Sequence, residues 1–341
     1  MTIRENCSLL RYNTFRFDVA ARYFVEYDSE AELERLLVDE YFNASTSLHI
    51  GRGSNLLFLG DYSGIILHSA IKGMDIDGAG DDILLRTGAG ELWDDVVAFA
   101  LERGWGSPEN LSLIPGEVGA AAVQNIGAYG AEVKDMIYAV EAVDRHTRRM
   151  HLFPVADCGY AYRYSRFKEE ASPFIITRVI FRFARTPRPC RTDYGHLADG
   201  LPANPAPMQV RDAVIRLRRD KLPDPDRLGN AGSFFMNPIV SAEAGAALQA
   251  RFPDIPLYSL PSTPSSLSSP ACKISAGWLI ERCGLKGFRQ GDAGVSERQA
   301  LVLVNHGKAS GQDIARLAAH VAREVYARFG VTLHPEVKYI G

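Results

Sequence analysis

The stretch GRGSNLL, Gly51–Leu57, follows a short β-rich run and brings two glycines, a serine and an asparagine together. Such small side chains leave backbone N–H groups free to approach an anion, and a nest of amides of this kind suits a pyrophosphate. A dinucleotide-binding Rossmann fingerprint is disfavoured, because Leu56 holds the third glycine position and no helical pattern follows. An ordinary turn is the alternative that this stretch alone leaves open.

A second stretch, IPGEVGAAAVQNIGAYG, Ile114–Gly130, is richer still in small residues. Its glycines and alanines add little side-chain bulk, while Gln124 and Asn125 supply amide donors and acceptors. Backbone with so little bulk can approach a planar ring system closely. A tightly packed loop with conformational demands of its own is the alternative, and we favour a ligand-binding loop.

The length and composition are typical of a fully folded globular protein. The chain has 341 residues, 46% of them apolar and 23% charged, which is enough for two or three lobes around a sizeable core. The formal net charge is −3, and Lys and Arg form no basic stripe, so we expect no nucleic-acid partner. The eight histidines form no HExxH or paired motif, so we expect no metal.

Membrane and secretory segments are not expected either. The longest apolar runs, such as Gly64–Leu67 and Val302–Val304, are far shorter than the ~20 residues that span a bilayer. The N-terminal MTIRENCSLLRYNTF lacks the apolar region of a signal peptide. Five cysteines without a CxxC pair suit reduced thiols that serve in packing. We therefore expect a cytoplasmic protein without a membrane partner, and we expect it to be a monomer.

Hydrophobic periodicity predicts a strand, a helix and two strands in residues 1–70. Tyr23–Tyr27 is β-rich, and Ser29 with Glu32 has the pattern of a capping box. The next apolar residues are spaced for one buried helix face: Leu33, Leu36, Leu37 and Tyr41. Strands are predicted at Ser47–Ile50 and Gly64–His68.

Residues 71–220 alternate short strands with a helix, as in a mixed α+β lobe. The strands are predicted at Ile83–Thr87, Ala139–Asp144 and Phe174–Phe183. The helix is predicted at Leu92–Arg103, and Gly104 can close it.

Proline at 223, in KLPDP, ends the predicted helix Val210–Asp220 and marks the start of a third lobe. In that lobe the Ser- and Pro-rich run Ser259–Pro270 is predicted to be an exposed loop. The lobe ends in an amphipathic helix that Gly330 stops, with one apolar face: Ile314, Leu317, Ala318, Val321 and Val325.

Further motifs follow in order along the chain: NTF at Asn13–Phe15, YAYRYSRFK at Tyr160–Lys168, TDYGHL around Tyr194, KLPDP, GNAGSFFMNP at Gly229–Pro238, SAGWLIE, QALVLVN at Gln299–Asn305 and the C-terminal HPEVKYIG. With the two glycine-rich stretches, they make nearly the whole chain resemble the UDP-N-acetylmuramate dehydrogenase family of bacterial cell-wall synthesis, also called UDP-N-acetylenolpyruvoylglucosamine reductases. The TDYGHL stretch resembles the tyrosine loop of the longer of the family's two structural types.

The resemblance implies an α+β protein with an FAD-binding fold of the vanillyl-alcohol-oxidase type. It implies two FAD-binding subdomains, residues 1–70 and 71–220, and a C-terminal substrate-binding domain, residues 221–341. It also implies non-covalent FAD, NADPH as the reductant and UDP-N-acetylglucosamine enolpyruvate as the substrate, which is reduced to UDP-N-acetylmuramate for peptidoglycan synthesis.

Residues of both glycine-rich stretches are implied to bind FAD: Gly51, Arg52, Gly53, Ser54, Asn55, Leu56, Ile114, Pro115, Gly116, Gly119, Ala120, Gln124, Asn125, Ile126, Gly127, Ala128, Tyr129 and Gly130.

Three residues are implied to be catalytic. Hydride transfer to the enolpyruvyl group builds negative charge on the substrate carboxylate, and the guanidinium of Arg163 can bind a carboxylate through two donors. A proton must then reach the carbon next to the carboxylate, which is the implied role of Ser233. A serine is a weak acid, so its developing charge must be met by water or a neighbour such as Lys221. Glu336 is implied to help stabilise the enolate.

A substrate with a nucleotide diphosphate needs cationic and amide partners. The family motifs imply this role for five residues: Tyr194, Arg218, Lys221, Asn237 and Gln299. Two departures affect the substrate lobe. Lys338 stands where related sequences often have an arginine, and the Ser- and Pro-rich run before Cys272 is less compact than expected.

Two other functions are compatible with parts of the sequence. One is an FAD oxidase that acts on a sugar or alcohol with oxygen, although GRGSNLL has no histidine to tether the flavin and the Ser233 and Glu336 motifs have no evident purpose there. The other is a flavin- or sugar-nucleotide-binding module without turnover.

Overall fold

The computed structural model describes residues 1–78, 82–186, 189–260 and 271–341. The chain forms two compact units, each made of segments that are not contiguous in sequence. The first unit comprises Met1–Ser8, Ala20–Gly53 and Tyr62–Arg219, and the second comprises Leu9–Val19, Ser54–Asp61 and Asp220–Gly341. The division into three domains after residues 70 and 220 stays a prediction.

The strands of the described residues are, in chain order, β1 (Thr2–Ser8), β2 (Ala20–Tyr27), β3 (Ser47–Ile50), β4 (Leu56–Phe58), β5 (Tyr62–Ser69), β6 (Met74–Asp77), β7 (Asp82–Gly88), β8 (Gly127–Ala128), β9 (Ala131–Glu132), β10 (Ile137–Asp144), β11 (Met150–Pro154), β12 (Phe174–Ala184), β13 (Gly229–Ser233), β14 (Ile239–Ser241), β15 (Leu257–Leu260), β16 (Ala271–Ile274), β17 (Arg289–Gln290), β18 (Ala293–Val295), β19 (Val302–Asn305) and β20 (Lys338–Ile340).

The α-helices are α1 (Glu30–Val38), α2 (Glu40–Ala44), α3 (Trp93–Glu102), α4 (Val118–Gln124), α5 (Pro207–Lys221), α6 (Ala242–Arg251), α7 (Ala276–Arg282) and α8 (Gly311–Phe329). Short 3₁₀ turns occur at Glu109–Leu111, Val133–Asp135, Val155–Cys158 and Arg166–Lys168.

The first sheet of the first unit has the strand order β1-β2-β5-β3. Strands β2, β5 and β3 are parallel, whereas β1 is antiparallel to β2. The predicted strands at 23–27, 47–50 and 64–68 are confirmed. Helix α1 buries Leu33, Leu36 and Leu37 in the core of this sheet, because the three residues share one face.

Two details of the predicted first helix are wrong. Ser29 is the N-cap residue, but its side chain makes no capping bond, so no capping box forms. The Glu32 carboxylate instead accepts from the Asp28 N–H at 3.1 Å and pairs with the N-terminal amine. Tyr41 is not on the buried face, since α1 ends before it and its side chain on α2 is 53% exposed.

The second sheet of the first unit is antiparallel, with the order β11-β10-β12-β7-β6. The predicted strands at 83–87, 139–144 and 174–183 lie within β7, β10 and β12. Helix α3 packs Trp93 and Val97 into the core of this sheet. It ends as predicted, with Gly104 in the left-handed conformation at φ +74°.

The second unit contains the antiparallel sheet β13-β19-β18-β17, the three-stranded sheet β14-β16-β15 and the parallel pair β20-β4. The predicted terminal helix is confirmed as α8, which buries Ile314, Leu317, Ala318, Val321 and Val325 in the core. Ser310 and Asp313 form a capping box at its start, and Gly330 ends it at φ +70°. Local sequence therefore fixes both ends of this helix.

The NTF motif has a structural role in the second unit. The buried Asn13 amide donates to the carbonyls of Leu9 and Phe17 at 2.8 and 2.9 Å and accepts from the Phe17 N–H at 2.9 Å. These bonds hold the segment 9–17 in a compact loop. Its carbonyl at Phe15 then accepts from the side chain of Asn305 on β19 at 2.9 Å, which places the phenyl ring in the core.

The predicted loop Ser259–Pro270 is only partly within the described residues. Ser259 belongs to β15, which pairs with β16, so the loop does not begin as early as predicted. Residues 261–270 lie outside the described residues. All five cysteines are free thiols. Within the described ranges, no helix combines the length and apolar character that a membrane crossing requires.

Gly311 is predicted to be essential for seating α8. A Cβ there would lie 1.8 Å from the Phe58 carbonyl oxygen. Gly311→Ala gains about 1 kcal/mol of helix propensity, but the overlap outweighs it, so we expect a net loss of about 1–2 kcal/mol in the free energy of unfolding, measured by urea denaturation. Gly60→Ala is the control, since no atom lies within 4 Å of its Cβ position. An unchanged urea midpoint for Gly311→Ala contradicts this packing.

Candidate active site

The first glycine-rich turn lies at the carboxyl end of a set of parallel strands. Gly51 directly follows β3, in which Ile50 is the register partner of His68 on β5. Gly53 has a left-handed φ of +66°. The N–H groups of Gly51, Arg52 and Gly53 donate no hydrogen bond to any other described residue. Three consecutive amide donors without protein acceptors form the kind of nest that binds a diphosphate.

The two glycine-rich stretches meet at Gly51. A Cβ on Gly51 would lie 3.0 Å from Oε2 of Glu117 and 3.2 Å from Cβ of Ala120. Glu117 directly precedes α4, which is part of the second stretch. Residues predicted to bind one ligand are therefore brought together within the first unit, and glycine at position 51 makes the approach possible.

Part of the small-residue pattern serves packing rather than a ligand. Ala121 and Ala122 are buried in the core of the second sheet. A Cβ on Gly119 would lie 2.9 Å from Cβ of Ala89. The alternative interpretation of this stretch as a tightly packed segment thus holds for the inner face of α4, while Ala120 lies on the side of Gly51.

Asn125 ends α4 in a left-handed conformation, with φ +44°. Its side chain is fully buried, and its amide donates to Oε2 of Glu132 at 3.0 Å and to the Ala161 carbonyl at 2.9 Å. Its Oδ1 accepts from the Lys134 N–H at 3.3 Å. The side chain thus joins three loops, and a contact from Asn125 to a cofactor has to come from its backbone.

Arg163 lies against the end of the second stretch. Its guanidinium donates to the Gly127 carbonyl at 2.8 Å and to the Asn125 carbonyl at 3.5 Å. A Cβ on Gly127 would lie 3.0 Å from Nη1 of Arg163, a tight contact, so glycine at this position favours the approach. The structure thereby brings a predicted catalytic residue onto the predicted flavin-binding segment.

Left-handed backbone at residues other than glycine clusters around this segment. Leu113, Asn125, Tyr129 and Arg163 have φ values of +58°, +44°, +48° and +56°. Each such residue costs on the order of 1 kcal/mol and persists only where the surroundings enforce it. At Arg163 the backbone carbonyl accepts from Nζ of Lys168 at 2.9 Å, which helps to hold the conformation.

Tyr194 and Arg218, two predicted substrate-binding residues, both lie near Tyr129. The rings of Tyr129 and Tyr194 meet edge to face, with centroids 6.1 Å apart. Burial lowers the pKa of the Arg218 guanidinium, while the charges of Tyr129 and Asp94 act in the opposite direction. Its buried Nε has no hydrogen-bond partner among the described residues. A desolvated cation with an unfilled donor favours the binding of an anion.

The segments that carry Ser233 and Glu336 pair through their backbones within the second unit. The Glu336 N–H donates to the carbonyl of Phe234, the residue after Ser233, at 2.8 Å. Asn55 fixes the same strand segment, since its side chain donates to the Glu336 carbonyl at 3.1 Å and its own carbonyl accepts from the Lys338 N–H at 3.0 Å. The Ser233 side chain is exposed, and its hydroxyl makes no hydrogen bond with the described residues.

Asn237 and Gln299 flank the start of α7. Oδ1 of Asn237 accepts from the Ala276 N–H at 2.9 Å, and a Cβ on Gly277 would lie 3.1 Å from Oε1 of Gln299. Lys221 is exposed at the last residue of α5. Lys338 is exposed in β20, where it is paired with Leu56.

Two buried polar residues next to the glycine-rich stretches escaped the sequence analysis. Glu117 is 6% exposed and His68 is 8% exposed, and Nε2 of His68 lies 3.1 Å from Oε1 of Glu117. Glu117 had a signal in the sequence, as the one charged residue of its stretch. His68 had none, because it is an ordinary-looking residue at the end of a β-rich run.

Comparisons with known proteins cover both units. A family model described as an FAD binding domain matches residues 21–152. A second model, for the C-terminal domain of UDP-N-acetylenolpyruvoylglucosamine reductase, matches residues 224–340. The first match supports the predicted FAD-binding domain, and the second supports the predicted family resemblance.

Relatives match over the full length. The UDP-N-acetylenolpyruvoylglucosamine reductase of Porphyromonas gingivalis (strain ATCC 33277) is 47% identical over 345 residues, covering 100% of both chains. That of Bacteroides fragilis (strain ATCC 25285) is 47% identical over 342 residues, covering 99% of this chain and 100% of the relative.

Solved structures agree on the fold. The UDP-N-acetylenolpyruvylglucosamine reductase of Thermus caldophilus has a TM-score of 0.70 at 24% identity, covering 100% of both chains. The 6-hydroxy-D-nicotine oxidase of Arthrobacter nicotinovorans has a TM-score of 0.54 at 14% identity, covering 97% of this chain and 86% of the oxidase. The fold is the FAD-binding fold of the vanillyl-alcohol-oxidase type, as predicted. With full-length identity this high, the chain belongs to the family of UDP-N-acetylenolpyruvoylglucosamine reductases.

Proposed function

We propose that this protein uses NADPH to reduce UDP-N-acetylglucosamine enolpyruvate to UDP-N-acetylmuramate, a precursor of peptidoglycan. The proposal is supported by the pairing of segment 334–336 with segment 234–236, which holds the backbone of Glu336 against that of Phe234, the residue after Ser233. The exposed hydroxyl of Ser233 suits proton delivery to a substrate, and the Glu336 carboxylate is carried by the paired segment. An oxidase that passes electrons to oxygen has no use for this pair.

The first unit offers residues that fit FAD. The N–H groups of Gly51, Arg52 and Gly53 are suited to its diphosphate. The small side chains of the stretch from Gly116 to Gly130 are suited to close approach of its ring system. FAD held by these residues would supply the hydride chemistry between NADPH and the terminal carbon of the enolpyruvyl group. No histidine of the turn is placed for a covalent tether, so binding is non-covalent.

Arg163 is proposed to bind the substrate carboxylate and to stabilise the negative charge that develops on it. Its hydrogen bonds to the carbonyls of Gly127 and Asn125 fix the plane of the guanidinium before substrate arrives. A donor that is already oriented needs no reorganisation as charge develops, which is the main source of electrostatic catalysis. The left-handed backbone at Arg163 is part of the cost of this placement.

Ser233 is proposed to give the proton of its hydroxyl to the carbon next to the carboxylate. This step forms a C–H bond, breaks the serine O–H bond and leaves an alkoxide that takes a proton from water or from the ammonium of Lys221. Gly232, at φ +68°, turns the backbone immediately before Ser233. Glu336 is proposed to stabilise the enolate from the neighbouring segment.

The diphosphate and sugar of the substrate are proposed to bind Tyr194, Arg218, Lys221, Asn237 and Gln299. The strongest support is for Arg218, whose buried guanidinium gains an anionic partner when a diphosphate binds. Tyr194 offers an exposed ring, 51% accessible, beside Tyr129.

Replacing Ser233 tests proton delivery. We expect Ser233→Ala to leave flavin reduction by NADPH nearly intact and to slow flavin reoxidation by the enolpyruvyl substrate by roughly 10²–10⁴-fold, the contribution of a positioned acid. Stopped-flow absorbance in the flavin band measures the two half-reactions separately. Ser241→Ala is the control, because the Ser241 hydroxyl caps α6 and has no proposed role in the reaction. A normal oxidative half-reaction in Ser233→Ala removes Ser233 from the mechanism.

Replacing Arg163 tests charge stabilisation. Lysine keeps the charge but loses the two-donor fork, so we expect Arg163→Lys to lower kcat by about 10²–10³-fold, as when an oxyanion-hole donor is removed. The matched control is Arg166→Lys, since Arg166 lies close in sequence but donates to the Asp157 carbonyl at 3.0 Å. Steady-state oxidation of NADPH reports both. If the two variants have the same kcat, Arg163 does not stabilise the developing charge.

A further inference from the structure

A partly buried chain of three ionisable side chains, Glu26, His68 and Glu117, ends against the first glycine-rich turn of the first unit. His68 on β5 is the register partner of Glu26 on β2, and its Nδ1 lies 2.9 Å from Oε2 of Glu26. Its Nε2 lies 3.1 Å from Oε1 and 3.2 Å from Oε2 of Glu117. A neutral imidazole has one N–H donor, and an ionised carboxylate only accepts. Both contacts are therefore hydrogen bonds at once only when His68 is an imidazolium.

The surroundings of His68 favour that charged form. Burial by itself lowers the pKa of His68, but the hydrogen bonds and charges of Glu117 and Glu26 more than offset it, so the pKa lies above its ordinary value. Other ionisable groups nearby include His49 on β3, which interacts electrostatically with His68, and Arg4 on β1, 3.8 Å from Glu26. The ring of Phe24 packs beside the imidazole.

Glu117 connects this chain of charges to the predicted flavin site. Its Oε2 would lie 3.0 Å from a Cβ on Gly51, so the carboxylate lies directly against the turn whose amides suit a diphosphate. A lone carboxylate at that place repels a second anion, and the repulsion is large where water is excluded. The imidazolium of His68 neutralises the carboxylate and fixes its direction.

We propose that His68 is a positioning residue for FAD, which holds Glu117 against Gly51 and thereby sets the spacing of the two glycine-rich stretches and the charge beside the diphosphate. The inference rests on the proposed function in placing FAD at these stretches. His68 does not touch the cofactor. It acts through Glu117, so its loss changes FAD affinity before it changes the chemical step.

A dependence of FAD affinity on pH follows. Because the pKa of His68 is raised in the folded protein, the bridging imidazolium is fully present below the pKa of an unfolded histidine and is lost as the pH rises through the folded pKa. The Kd for FAD is therefore constant at low pH and rises above the folded pKa by up to about tenfold per pH unit, as one proton is linked to binding.

The experiment measures FAD release from the holoenzyme. Ultrafiltration across pH about 6 to about 10, with flavin absorbance read in the filtrate, gives the Kd at each pH. For His68→Gln we expect a Kd that is flat with pH and about ten- to hundredfold weaker at the acid end, the range for groups that orient a binding residue. Glu26→Gln should leave the Kd at low pH unchanged. It should move the pH at which the Kd begins to rise, which we call the midpoint, to a lower value, because it removes one charge that raises the pKa of His68.

The control is His49→Gln, which removes a histidine from the neighbouring strand β3 that is bonded to the Tyr27 hydroxyl at 2.7 Å rather than to a carboxylate. It should keep the wild-type midpoint. A wild-type Kd that does not vary with pH, or a midpoint that Glu26→Gln leaves in place, overturns the inference even if His68→Gln fails to fold. A wild-type protein that binds FAD with a flat profile leaves the proposed function standing, whereas one that holds no FAD contradicts both.

Discussion

The close approach of Glu117 and Ala120 to Gly51 is the constraint on which the organisation of the first unit depends. The same requirement recurs along the boundary between its two sheets, where a Cβ on Gly88 would lie 2.3 Å from the Ile71 carbonyl oxygen and one on Gly90 would lie 2.4 Å from that of Ser69. Backbone packs directly against backbone at these points. Glycine at these positions allows two backbone segments to lie in contact, and the turn at Gly51 is part of the same close packing.

Elements whose signals are local were predicted well. The apolar face of α8, its capping box and its terminal glycine are all formed by residues in the helix or next to it, so the local sequence is enough to predict the helix. The start of α1 was predicted less well, because Glu32 is drawn away from Ser29 by the N-terminal amine and by Asp28. Tyr41 shows the same limit, since a break after Val38 moved it off the buried face. Competing partners outside the motif decided both cases.

In the candidate site, too, features with a local motif were predicted and features that depend on distant partners were not. Motifs alone pointed to Arg163, Ser233 and Glu336, and the structure adds how two of them are held, through carbonyls at 125 and 127 and through the backbone of Phe234. The pairing of His68 with Glu117 had no local pattern, because His68 lies on β5 and Glu117 is the N-cap residue of α4, so their contact exists only after both elements have formed. Asn125 was predicted as a cofactor residue, yet its amide is occupied by loop contacts that no periodicity encodes.

The interleaved composition of the second unit has a consequence for biosynthesis. Strand β4, at residues 56–58, pairs with β20, at residues 338–340. Phe15 and Phe17 of the segment 9–19 and Leu57 of β4 join a buried core whose other residues lie beyond 219. During translation these early segments emerge long before their partners, whereas most of the first unit is complete once residue 219 has left the ribosome. The second unit therefore cannot close until residues 338–340 have left the ribosome, and a chain truncated before β20 has β4 without this partner strand.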